Sequence, residues 1–140
     1  VLKIVGDGPL FKKINYKIKK KKLSKKIILL GHLDRKEIIT HLLKSHCFIL
    51  TSKVETFGVS TIEALSCGLK VLLSKNAGSV EIKSKIPEVI IYKPNNALNL
   101  YKEMKKIYIF KNKIGINKIR NKTIKFFGIN NFLNQIKKLY

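Results

Sequence analysis

Two carboxylates, Glu55 and Glu63, stand eight positions apart in the stretch Glu55-Thr-Phe-Gly-Val-Ser-Thr-Ile-Glu-Ala-Leu-Ser-Cys-Gly68 of a chain with thirty basic residues and only eight acidic ones. Before them, Cys47 to Thr51 is a short apolar run of strand length; after the turn, Val59 to Ser66 reads as a helix with Ile62 and Leu65 three apart. Glu55 is therefore expected on a loop and Glu63 on a helix. Gly58 removes the side chain where the backbone turns, so the first N–H groups of the helix can face a ligand, and the helix dipole favours an anion there. A diphosphate suits that position, and the pattern reads as a nucleotide-sugar site.

Each residue also has a plainer role. Ser60-Thr-Ile-Glu63 fits a capping box, in which Glu63 returns a hydrogen bond to the Ser60 backbone. Glu55 fits an ordinary solvated loop acid. Scarcity favours the ligand-binding role, because two of so few acids frame one turn.

The elements that must hold this turn follow from an alternation of short apolar runs with helical stretches, the signature of βαβ units around a mainly parallel sheet. Strands are expected at Val1–Val5, Ile27–Leu30, Cys47–Thr51, Leu69–Leu73 and Val89–Tyr92. Between the first two, Leu10 to about Lys22 reads as a helix with Phe11, Ile14 and Ile18 along one side. Asp34 is a plausible N-cap for a helix burying Ile38, Ile39, Leu42 and Leu43. Asn76-Ala-Gly-Ser79 reads as a loop, and Asn96 caps a helix running towards Phe110. Two further helical pieces, broken near Gly128, fill residues 117–140. Residues 1–140 are thus expected to form one domain, a Rossmann-like α/β fold with a mainly parallel sheet flanked by helices.

In open α/β sheets ligands collect outside the carboxyl ends of the strands. The turns expected there are Gly6–Pro9, Gly31–Asp34, Ser52–Gly58 and Ser74–Glu81, which share a polar or glycine-rich character. One site built from four loops follows. Gly6-Asp-Gly8 lacks the third glycine of the dinucleotide fingerprint, so it is weak evidence by itself.

Composition bounds the partners. The length of 140 residues and 45% hydrophobic content suit one folded domain with a core. The formal net charge of +22 raises nucleic acid or an anionic membrane surface as a partner. However, the lysines are spread along the chain, the arginines are only Arg35 and Arg120, and Ile and Asn are abundant, which an AT-rich coding sequence also produces. The densest block, Lys17 to Lys26, suits a solvated helix end or acidic lipid headgroups. Cys47 and Cys67 sit in or beside apolar segments without metal or disulfide spacing, so they read as core residues in a reducing compartment. His32 falls in a ligand-side loop; His41 and His46 read as surface or helix-end residues. Neither an apolar run of eighteen residues nor a signal peptide is seen, which points to a cytoplasmic or membrane-peripheral location. The chain starts with Val on a strand already under way, which suggests residues upstream.

Taken in order, these residues resemble the carboxyl-terminal, donor-binding half of a GT-B retaining glycosyltransferase of family 4. The matching pieces are Ile4-Val-Gly-Asp-Gly-Pro9, the strand ending Leu30-Gly31, Phe48-Ile-Leu-Thr-Ser52, the Glu-x7-Glu pair, Val71-Leu-Leu-Ser74 and Gly78-Ser-Val-Glu81. Phe126-Phe-Gly-Ile-Asn130, followed by an amphipathic stretch ending Leu139-Tyr140, resembles the closing helix of these enzymes. The resemblance implies that Glu63 binds the ribose hydroxyls of the nucleotide. Glu55 would contact the transferred sugar as the catalytic-site carboxylate. The backbone of Phe57, Gly58, Val59 and Ser60 would hold the diphosphate, Gly6 and Gly8 would belong to the donor site, and Leu30 and Gly31 would lie against the base. It further implies a hexosyltransferase that takes a nucleotide-diphosphate sugar as donor substrate, without a metal or other cofactor, and passes the sugar to a glycan or lipid-linked acceptor in cell-envelope biosynthesis. Peripheral contact with the inner face of an anionic membrane is expected from charge and family habit.

The departures are equally specific. Family members carry an earlier strand, then an Arg and a Lys that neutralise the diphosphate, and before these an acceptor-binding domain; none of this lies in the chain. In the family's strand order the absent strand lies between those at Val1 and Cys47. That gap exposes two unpaired edges, so the chain is expected to be unstable or aggregation-prone unless an upstream segment or partner chain fills it. Lys70 stands where the family commonly has Pro. Two other classes remain: a noncatalytic nucleotide-sugar-binding fragment or subunit, and a basic nucleic-acid-binding protein, for which no specific motif is present.

Overall fold

The computed structural model describes residues 1–109 and 115–136. Strands and helices alternate as β1 (Leu2–Val5), α1 (Phe11–Lys20), β2 (Ile27–Gly31), α2 (Arg35–Leu43), β3 (Cys47–Leu50), α3 (Val59–Ser66), β4 (Lys70–Ser74), α4 (Ala77–Lys85) and β5 (Ile90–Tyr92). Three helices follow: α5 (Ala97–Ile109), α6 (Ile116–Phe127) and α7 (Ile129–Ile136). The strands pair in parallel, as crossover connections require, and the Rossmann-like α/β class expected from the sequence is the one observed.

The chain divides into two compact units, residues 1–40 and residues 41–140. In the first, β1 pairs with β2 from Leu2 opposite Ile27 to Ile4 opposite Leu29, and α1 packs on β2. Among its described residues only Ile18 is buried. The second unit holds most of the core. Its sheet runs β3-β4-β5, and Val71, Leu72, Leu73 and Ser74 of the central strand are all buried, as expected for a strand covered on both faces. Ala64 and Leu65 of α3, Ile82 of α4 and Ile119 of α6 join this core, with Leu69, Ile86, Val89 and Tyr92. Helix α6 packs directly on α3. At their junction Gly68 has φ +76°, and a Cβ there would overlap Ile116, so both conformation and space select glycine.

Most helix boundaries follow local chemistry. Asp34 and Glu37 exchange side-chain-to-backbone hydrogen bonds of 2.8 Å each at the start of α2, and Asn96 accepts from the Asn99 N–H at 2.8 Å before α5. The break at Gly128 separates α6 from α7 as expected; Phe110 and the closing Leu139-Tyr140 lie outside the described residues. The segment Asn76–Ser79 differs from its expected loop. Asn76 instead caps α4, accepting from the Ser79 N–H at 2.9 Å while Ser79 Oγ accepts from the Asn76 N–H at 2.9 Å. Two of the three positions that α4 buries are Gly78 and Ser79, so an apolar periodicity could not reveal the helix.

Among the described residues β1 pairs only with β2, and β3 only with β4. Each therefore has one unpaired edge among the described residues.

One ion pair fastens α6 to the segment before β5. Lys122 Nζ donates to Glu88 Oε1 at 2.6 Å. Burial of Glu88 works against its charge, but the Lys122 hydrogen bond and the neighbouring Lys122 and Lys118 charges outweigh it and hold the carboxyl below its ordinary value of 4.5. A depressed folded-state pKa contributes stability that is present above the unfolded value and lost as pH falls through the folded one. Between neutral pH and about pH 3, the urea midpoint of the natural chain should therefore start above that of Glu88→Gln and fall more steeply, the two curves converging below pH 4.5. Parallel curves would show that the pair contributes nothing.

Candidate functional site

The site in the second unit begins where β3 and β4 end. Because these strands run parallel, the loops leaving them emerge at the same edge of the sheet, and two hydrogen bonds join those loops. Asn76 Nδ2 donates to the Ser52 carbonyl at 3.2 Å, and the Gly78 N–H donates to the Glu55 carbonyl at 3.2 Å. A Cβ on Gly78 would lie 2.7 Å from that carbonyl oxygen. Glycine is therefore what lets the start of α4 approach the Glu55 backbone.

Gly58 then turns the chain into α3 with φ 73° and ψ 52°, the left-handed conformation that glycine adopts without strain. Its N–H donates to Glu55 Oε1 at 3.2 Å, and its carbonyl accepts from the Thr61 and Ile62 N–H groups at 2.8 and 3.1 Å. The first-turn N–H groups of Val59 and Ser60 precede any acceptor within the helix and sit at the positive end of its dipole. Since Gly58 is the N-cap and makes no side-chain cap, the capping box proposed for Ser60 and Glu63 is not formed at this helix start. Ser60 lies two residues past the N-cap position that this role requires. Glu55 is half-buried and bound at the turn rather than fully solvated, and Glu63 is half-buried on α3.

Phe57 is 49% exposed, and its ring meets that of Phe127, at the end of α6, edge-on with centroids 6.0 Å apart. Phe127 thus supports the motif from a helix far along the chain, and nothing in its sequence surroundings signals this. Beneath the turn, the Thr61 hydroxyl is buried without a hydrogen-bond partner among the described residues.

The first unit carries the other sequence-predicted residues. Gly6 and Gly31 have φ +123° and +71°, and the Gly6 N–H donates to the Gly31 carbonyl at 2.7 Å. Asp7, Gly8, Pro9, Phe11, Lys12 and Gly31 line a cleft of about 470 Å³. Gly6 and Leu30 are not among these lining residues. A Cβ at Gly8 would meet nothing within 4 Å, so internal packing does not demand glycine there. Lys12 adds a cation to the cleft, indistinguishable in the sequence from its many lysine neighbours.

The cysteines supply no nucleophile. Burial pushes the Cys47 thiol up to about 11 against an opposing effect of Lys70, and burial likewise raises Cys67. Both thiols remain protonated at neutral pH.

Residues 1–125 match the family model for glycosyl transferases group 1. The chain belongs to the group 1 glycosyl transferases. It is 27% identical over 139 residues to the phosphatidylinositol N-acetylglucosaminyltransferase GPI3 subunit of Saccharomyces cerevisiae, covering 98% of this chain and 28% of that protein. Over 88 residues it is 33% identical to one subunit of the human phosphatidylinositol N-acetylglucosaminyltransferase, covering 63% of this chain and 18% of the other. Among solved structures, Anabaena HepE in complex with UDP and glucose superposes with a TM-score of 0.82 at 19% identity, covering 98% of this chain and 39% of that one. This group 1 chain therefore shares the GT-B glycosyltransferase fold and spans little more than a quarter of the yeast relative.

The contact between α4 and the Glu55 loop is open to test. Gly78→Ala should force the Glu55 carbonyl away, lower unfolding stability by about 1–3 kcal/mol, and speed hydrogen exchange at the Gly58 amide. Unchanged exchange would mean that α4 does not hold the turn.

Proposed function

We propose that the chain is the donor-binding part of a glycosyltransferase that moves a hexosyl group, with retention, from a nucleotide-diphosphate sugar to a glycan or lipid-linked acceptor. The observation that carries this reading is the Gly58 turn. It presents the Val59 and Ser60 N–H groups at a helix start, beside a carboxylate fixed by the same turn. The diphosphate would rest on those N–H groups, which supply electrostatic stabilisation as negative charge develops on the leaving group. Glu55 would hold a hydroxyl of the transferred sugar, and Glu63 would accept from the ribose hydroxyls, a task suited to a carboxylate's two oxygens. In the first unit, Gly6 and Gly8 would line the approach to the donor, and Leu30 and Gly31 would face the base. Supporting this, the similar HepE structure is a complex with UDP and glucose.

The acceptor would be bound by an upstream domain or a partner chain, in keeping with the short span of the relatives that this chain covers and with the yeast and human relatives being subunits. Acting on the cytoplasmic face of an anionic membrane is part of the same reading; no helix of the described residues is long and apolar enough to cross a membrane. The unpaired edges that β1 and β3 keep among the described residues favour a second form of it, in which the 140-residue chain binds donor but transfers nothing without added elements.

Saturation-transfer NMR against UDP-, GDP- and ADP-sugars should find one nucleotide sugar that binds. Glu63→Ala should weaken it by roughly 10- to 100-fold, the loss of one or two charge-assisted hydrogen bonds. Glu55→Ala should reduce the preference for the nucleotide sugar over its nucleoside diphosphate. A folded chain whose binding ignores Glu63, or that binds none of the three, would contradict the assignment.

A further inference from the structure

Helix α5 carries exposed apolar side chains on the side turned away from the sheet. Its inner side, with Leu100, Glu103 and Ile107 half-buried, rests on β4 and β5. At 100° per residue, the opposite side carries Leu98, Tyr101, Lys105, Tyr108 and Ile109. The four hydrophobic members are 63%, 58%, 70% and 62% exposed, respectively. Lys102 and Lys106 border this face and are exposed, and the one acidic residue of the helix, Glu103, is paired with Lys106 at 2.7 Å. At its amino-terminal end, Lys93 and Lys102 line a cleft of about 230 Å³ with Asn96, Leu98 and Asn99.

We propose that this outward face of α5 docks the chain peripherally on an anionic phospholipid surface. The aliphatic side chains and the tyrosine rings would enter the boundary between headgroups and acyl chains, while the lysines reach back to lipid phosphates. Charge placement selects lipid over a protein partner. Lys105 lies in the middle of the apolar arc, where protein interfaces are depleted of lysine; at a bilayer surface its stem lies along the apolar boundary and its ammonium snorkels to the headgroups. Tyrosine, with an apolar ring and a polar tip, suits the same boundary. The cleft beside Leu98 is lined by two lysines, whose charge suits a headgroup phosphate. This inference does not depend on the donor-site reading; it assigns the membrane contact to one face of one helix.

The chain has no tryptophan, so Tyr101→Trp introduces a single reporter on this face. With vesicles of phosphatidylcholine and phosphatidylglycerol its emission should shift to the blue and be quenched by brominated acyl chains; phosphatidylcholine alone should give neither effect. Raising salt should weaken the association. Leu98→Ser with Ile109→Ser in the same background should lower partitioning at least about tenfold with an unchanged far-UV circular dichroism spectrum, since both residues are exposed. Three outcomes would overturn the proposal: no association with anionic vesicles; association that is unquenched and indifferent to the double substitution, which would place the contact at another basic segment such as Lys17–Lys26; or a blue shift that follows protein concentration without lipid, which would make the face a self-association surface.

Discussion

The left-handed turn at Gly58 is the constraint on which the motif depends. An ordinary residue at φ 73° would strain the backbone. Glycine lets the loop from β3 reverse into α3 within a single residue, so the Glu55 carboxylate meets the Gly58 N–H and the next two N–H groups open the helix. The turn is held from behind by Gly78, whose missing side chain admits the Glu55 carbonyl to the start of α4. It is held from below by the α3–α6 packing at Gly68 and Ile116. Three glycines thus do different work: one turns the chain, and two permit close approach.

Core distribution decides how firmly each part of the chain is held. In the second unit, a central strand covered on both faces and buried side chains from three helices fix the position of α3. In the first unit only Ile18 is buried among the described residues, while Leu2, Val5 and Ile28 of its two strands are exposed. Apolar strands with little cover gain less from burial and present edges able to pair with another chain. The same fold therefore places its carboxylate motif on a well-packed frame and its glycine-rich β1–α1 cleft on a thin one.

Much of this was legible in the sequence. Short apolar runs located all five strands, and glycine, asparagine and aspartate marked most helix ends. The boundaries of α3 were readable because Gly58 and Gly68 bracket an apolar helix. Helix α4 was missed because it buries glycine and serine, and a hydrophobic pattern does not register small buried residues. Ser60 and Glu63 matched a capping box in spacing, but spacing alone could not show that Gly58 already begins the helix. The ring contact between Phe57 and Phe127 joins residues seventy positions apart, a pairing that no local pattern carries. Lys12 was hidden by abundance, one lysine among many.

Titration of the ¹⁵N-labelled chain with the nucleoside diphosphate of its donor, read at the backbone amides of Val59 and Ser60, tests the central claim most directly. If a diphosphate rests on the start of α3, these two amide protons should move downfield together, saturating at one dissociation constant, while amides at the carboxyl end of α3 stay in place. Saturable binding that leaves Val59 and Ser60 unmoved would contradict the account, because the phosphates would then be held elsewhere and the Gly58 turn would be only a means of starting a helix.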